Sequence, residues 1–150
     1  MLYACDAAWW QLYFPEVAVQ FAGELWTVSE AARDRYGLQW VQGVDAGGVS
    51  ANQHSIHTNK NSGAQAIALA SLFGATRIVL LGFDMGRINN KTHWHGDHPK
   101  PLGNGNRYAA WIRAIDTMAA PLRDAGISVV NCSRHTALKC FERAPLEAQL

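Results

Sequence analysis

Between Thr92 and Leu102 the chain reads THWHGDHPKPL, which gathers three of its six histidines beside Trp94 and Asp97. Three imidazoles and a carboxylate are a donor set for zinc or another transition metal. The H-x-H-x-x-H spacing in a loop, however, matches none of the specific ligand patterns, such as H-E-x-x-H on a helix. In an extended segment His93 and His95 point the same way and His98 need not join them, so no native metal is expected. A single histidine near a strand end can instead take or give a proton near neutral pH. The plainer alternative is a solvated loop whose Trp94 packs on the core. Loops this long inside a compact domain are commonly lids or binding loops.

Three further places carry candidate residues. The turn TNKNSG ends at a helix start, where unpaired N–H groups and the helix dipole favour an anion, so Asn61, Ser62 and Gly63 can hold a phosphate or carboxylate. The alternative is that Ser62 only caps the helix and Gly63 only packs. Asp84 follows an apolar run and suits a ribose hydroxyl, a metal or a turn. Cys132 and Ser133 follow another apolar run with Asn131, and either serves as a nucleophile or as a small packing residue.

These residues need elements to position them. LYAC reads as a strand running into a helix cap at Asp6, followed by a short helix that stops before Pro15. ELWTV reads as a strand, SEAARDRYG as a helix begun by Ser29 and closed by Gly37, and LQWVQGV as one alternating strand. Residues 44–61 read mainly as loop. SGAQAIALASLFGA is helical, with Ala66, Leu69, Ala70 and Phe73 on one face, a Ser62/Gln65 capping box and a stop at Gly74.

TRIVLLGFD is a continuous apolar run of the kind buried on both faces of a parallel sheet. A helix begins near Arg107 and has Pro121 near its end, GISVVNCS is a further buried strand, and TALKCF and PLEAQL suggest helical turns. Alternating strands and helices predict a doubly wound α/β domain spanning residues 1–150. Ligands of such sheets bind at the carboxyl ends of the strands, which nominates Asp6, Gly82 to Asp84, and Asn131 to Ser133.

Composition sets limits. A chain of 150 residues with 49% hydrophobic residues can bury a core as one domain. Thirteen basic against twelve acidic residues leave no electrostatic footprint for nucleic acid. No apolar run has the roughly 18–20 residues of a membrane span, and the N-terminus lacks the pattern of a signal peptide. Cys5, Cys132 and Cys140 have no C-x-x-C spacing, so reduced thiols and a cytoplasmic location are expected.

Residues 58–150 also carry a resemblance. TNKNSGAQAIALASLFGATRIVLLGFDM, then WHGDHP, then ISVVNCSRHTALKCF, is similar in order to the C-terminal half of bacterial lipo-oligosaccharide sialyltransferases. It also resembles related Rossmann-like proteins, including pterin pyrophosphokinase-like and phage or prophage proteins, the last through YACDAAWW and HWHGDHP. The resemblance implies a Rossmann-like three-layer domain with a mostly parallel sheet, and a nucleotide or nucleotide sugar as ligand. It assigns nucleotide contacts to Ser62 and Gly63, matches Asp84, Asn131 and Ser133 to residues that position the nucleotide, and gives His98 the role of general base.

Two departures accompany it. Met85 and Gly86 stand where that family has leaving-phosphate tyrosines, and the chain starts at what corresponds to a later strand, without the first strand and its phosphate-binding turn. A sheet so exposed predicts a homo-oligomer, with tryptophans as interface material. The leading expectation is a glycosyltransferase-like protein of the nucleotide-sugar transferase superfamily. A non-catalytic remnant or oligomeric binding module is the alternative, and a metal-dependent hydrolase using the histidine cluster is the third.

Overall fold

The computed structural model describes all residues except Trp94, Asn104 and Asn106, so the expectation that Trp94 packs on the core lies outside the described residues. Strands β1 (Leu2–Tyr3), β2 (Leu25–Thr27) and β3 (Gln39–Trp40) form one ladder, β4 (Gln42–Val44) and β5 (Ser55–His57) a second. Strands β6 (Arg77–Leu80), β7 (Ser128–Asn131) and β8 (Glu142–Arg143) form a third. Every strand pair is parallel, and the helices α1 (Ala7–Gln20), α2 (Glu30–Tyr36), α3 (Ser62–Leu72) and α4 (Tyr108–Asp124) alternate with them. The fold is therefore α/β with parallel strands, as the alternation predicts. No helix among the described residues is long and apolar enough to cross a membrane.

Two apolar clusters hold these elements. The larger joins Val41 and Ile56 with Ile67 and Leu69 of α3, Ile78 and Leu80 of β6, and Ile115, Met118 and Leu122 of α4. The smaller centres on Trp10, which is fully buried among Ala4, Ala32 and Leu38 and donates its indole N–H to the Ala4 carbonyl at 3.0 Å. Burying a polar indole without that acceptor would cost stability, so the bond and the packing act together.

Several local expectations are corrected. Helix α1 continues through Pro15 to Gln20, although a proline there removes the N–H that would bond to the Gln11 carbonyl. Phe14 and Val17, on either side of it, pack on the Trp10 cluster, and tertiary burial overrides the break. LQWVQGV is two strands in two ladders, with buried Val41 between them, and the region read as loop contains β5.

Ser62 does not cap α3. Asn61 does, its side-chain oxygen accepting from the Ala64 N–H at 2.9 Å. Gln65 turns instead to the Thr58 carbonyl and the Tyr3 hydroxyl. TALKCF is irregular and leads into β8, while PLEAQL does contain a single 3-10 turn, Leu146–Ala148. The α2 boundaries agree with expectation: Ser29 accepts from the Ala32 N–H, and Gly37 closes the helix at φ 67°.

Candidate functional site

Parallel strands end on one side, and their carboxyl ends leave backbone groups and loop side chains facing a common space. At the ends of β6, β7 and β8 that space is a cavity of about 1120 Å³. The β6 end contributes Gly82 and Asp84, the loop after it Lys91, Thr92 and His93, the β7 end Cys132, Ser133, Arg134 and His135, and β8 Arg143. Gly82 has φ +73°, a backbone state that glycine adopts without penalty, and it turns the chain off β6 into the wall of the cavity.

A hydrogen-bonded brace fixes these strand ends. The Phe83 N–H donates to the Ser133 hydroxyl at 2.7 Å, and the Thr136 hydroxyl donates to the Phe83 carbonyl at 2.6 Å. Asn131 is buried; its amide donates to the Thr136 hydroxyl at 3.1 Å, and its carbonyl oxygen accepts from the Ser133 N–H at 2.9 Å. The Ala137 N–H closes the set on the Asp84 carbonyl at 2.8 Å. Asn131 is thus committed to the scaffold, and Ser133 both lines the cavity and braces it. Thr136 went unrecognised in the sequence because its role exists only once β6 and β7 lie side by side.

Basic residues outnumber acidic ones in the lining, Lys91, Arg134 and Arg143 against Asp84 and Glu147. Lys91, Arg134 and Arg143 are exposed, and none forms an ion pair among the described residues. Arg143 is held in place by donating to the carbonyls of Ser133 and Arg134 at 3.3 and 3.2 Å. Guanidinium and ammonium groups around a cleft with a few hydroxyls form a receptor for oxyanions. Lys91 and Ile88 are placed by a tight turn in which Asn89 and Asn90 have φ of 50° and 64° and the two flanking residues exchange backbone bonds. Positive φ at both central positions is the type I′ geometry that asparagine tolerates, and the Asn-Asn pair was its sequence signal.

The remaining named residues lie elsewhere. The Ser62 hydroxyl pairs with the Cys5 thiol at 3.0 Å, and a Cβ on Gly63 would meet the Phe83 ring at 2.8 Å. The α3 N-terminus is therefore packed against the residue that precedes Asp84, and Asn61, Ser62 and Gly63 are not among the described lining residues.

The histidine loop departs most from its sequence reading. His93, His95 and His98 come together, with ring centroids 5.2, 4.5 and 4.7 Å apart, and His93 also lines the cavity. Gly96 makes this possible: at φ +90° its N–H turns back to the His93 carbonyl at 3.3 Å, reversing the chain so that His98 returns to the pair. Burial, and then the neighbouring His93 and His95 rings, hold the His98 pKa below the ordinary imidazole value, against the opposing pull of Asp97. Comparison with protein-family models, with curated proteins and with solved structures finds no match to this chain.

Proposed function

We propose that the cavity at the ends of β6, β7 and β8 binds a nucleotide or nucleotide sugar, and that the chain is a group-transfer protein of the sialyltransferase-like kind its sequence resembles. In this reading the parallel ladders are parts of a Rossmann-like three-layer domain, with the ligand at the carboxyl edge. The observation that carries it is the lining: Lys91, Arg134 and Arg143 share one volume with Asp84 and the hydroxyl-bearing Thr92 and Ser133. Cations suit phosphate oxygens, and a carboxylate with hydroxyls suits the ribose or sugar. Transfer to a sugar hydroxyl makes the chain a glycosyltransferase. Transfer to water makes it a hydrolase, a second reading favoured by the imidazole cluster at the cavity wall.

Thermal-shift titration with nucleotides and nucleotide sugars tests the binding. Ligand at about a hundredfold over its Kd should add about 2.7 kcal/mol of stability. Lys91→Ala and Arg134→Ala should weaken the response, and no rise with any of these compounds at millimolar concentration would overturn the proposal. Incubation of the bound donor with and without an acceptor then separates transfer from hydrolysis, and binding without turnover identifies a non-catalytic module.

Self-association belongs to the same reading. Leu12 and Val19 of α1 lie two turns apart on one face and are 39% and 86% exposed. That face suits a second copy of the chain. Light scattering that gives a clean monomer at micromolar concentration would refute it.

A further inference from the structure

We propose that His93, His95 and His98 form a three-imidazole site for a divalent first-row transition ion, zinc foremost, in the wall of the cavity. Each residue offers one ring nitrogen, and these nitrogens lie within 4.8 Å of one another. Zn–N bonds of about 2.0–2.1 Å in tetrahedral geometry place ligand nitrogens roughly 3.3 Å apart. All three ligands sit on one short loop, so that contraction needs side-chain rotation and leaves the strands in place.

A second observation points to a ligand independently of the clustering. The Nε2 atom of His93 is buried and has no hydrogen-bond partner among the described residues. A buried imidazole nitrogen is ordinarily satisfied by a donor, an acceptor or a metal. A cation shared with His95 and His98 satisfies it.

The donor type narrows the ion. Imidazole nitrogens select zinc, copper or nickel, whereas magnesium and calcium require oxygen ligands. Three protein ligands also leave a coordination position open, the arrangement of reactive rather than purely structural zinc sites. Because His93 belongs to both the cluster and the cavity lining, an oxygen of a cavity ligand or a water can occupy that position. The site thereby deepens the reading given above by naming what the loop contributes. Its test is read without nucleotide, so either proposal can fail alone.

The test is titration of the untagged, chelator-treated chain with zinc chloride by calorimetry, and with cobalt(II) by visible absorption. One equivalent should bind, and cobalt should give the intense bands of a four-coordinate nitrogen–oxygen site. His93→Ala, His95→Ala and His98→Ala should each weaken zinc by more than the roughly 10–100-fold that loss of an outer-shell partner costs. His54→Ala, outside the cluster, should leave affinity unchanged. Should an alanine variant fail to fold, His98→Gln retains size and polarity and serves in its place. The proposal is overturned if zinc does not bind, if binding survives the three substitutions or falls equally with His54→Ala, or if cobalt shows only the weak bands of an octahedral ion.

Discussion

The backbone N–H of Phe83 donates to the Ser133 hydroxyl at 2.7 Å, joining the segment after β6 to the segment after β7 beneath the cavity. Register within the ladder aligns Leu80 with Asn131, so each chain leaves the sheet at the same level and a single hydroxyl can bridge the two exits. Ser133→Ala leaves the Phe83 N–H without its acceptor. The bond is part-buried, so urea denaturation should show a loss of about 0.5–1.5 kcal/mol, the net worth of an ordinary hydrogen bond. Unchanged stability would mean that the bond contributes nothing net.

Gly63 allows a direct discrimination between packing and ligand contact. A methyl group there would lie 2.8 Å from the Phe83 ring, closer than real carbon contacts allow. Gly63→Ala should therefore destabilise the fold by about 1–3 kcal/mol, the usual cost of overpacking. It should leave the nucleotide-induced thermal shift, measured relative to the variant's own Tm, nearly intact. The opposite pattern, normal stability with lost binding, would restore Gly63 to the phosphate-binding role its position at a helix start suggests.

The type I′ turn at Asn89 and Asn90 makes a signed prediction. Both residues hold positive φ, and Asn90 sits at 64°. Asn90→Gly removes the side-chain penalty and should stabilise or be neutral. Asn90→Val places a β-branched residue in the left-handed region and should cost about 1–2 kcal/mol. Since Lys91 lines the cavity, the valine variant should also bind nucleotides more weakly. Equal stability of the glycine and valine variants in chemical denaturation would show that the turn is not formed as described.

Fold class was readable from the chain because β6 and β7 are centred on apolar residues, Ile78 to Leu80 and Val129 with Val130, and because Gly74 and Gly126 follow helices α3 and α4. Errors arose where tertiary contact outweighs local preference. Pro15 is carried inside a helix by the packing of Phe14 and Val17, and Asn61 displaces Ser62 as the cap while Ser62 meets Cys5. The site was half legible. Asp84 and Ser133 follow from the rule that ligands gather at strand ends, and both line the cavity. Arg143 was beyond reach because β8 is only two residues long and carries no strand signature. The meeting of His93, His95 and His98 was hidden by a spacing argument that assumes an extended loop, which the left-handed turn at Gly96 reverses.

Alkaline pH should selectively weaken the fold through two half-buried thiols, Cys5 and Cys140. Burial first, and then the negative charge of Asp6, push the Cys5 thiol up to about 11, against a hydrogen bond from Ser62 that lowers it. Burial, and then Asp116, push the Cys140 thiol up to about 12. In the unfolded chain both titrate near the ordinary thiol value of about 8.5. The folded state therefore holds more protons across this interval, and stability falls with rising pH. The contribution is complete below about 8.5 and is lost as pH passes through the folded values. Urea midpoints of the wild type and of the Cys5→Ala/Cys140→Ala double variant, taken from pH 8 to 10.5, should diverge in slope, with the wild type declining more steeply. Tyr3 is held above its usual range by burial first and then by Cys5, so the single variant Cys140→Ala, which leaves Cys5 in place, is the comparison in which the Tyr3 contribution cancels. Parallel slopes would show that the thiols are not held protonated by the fold.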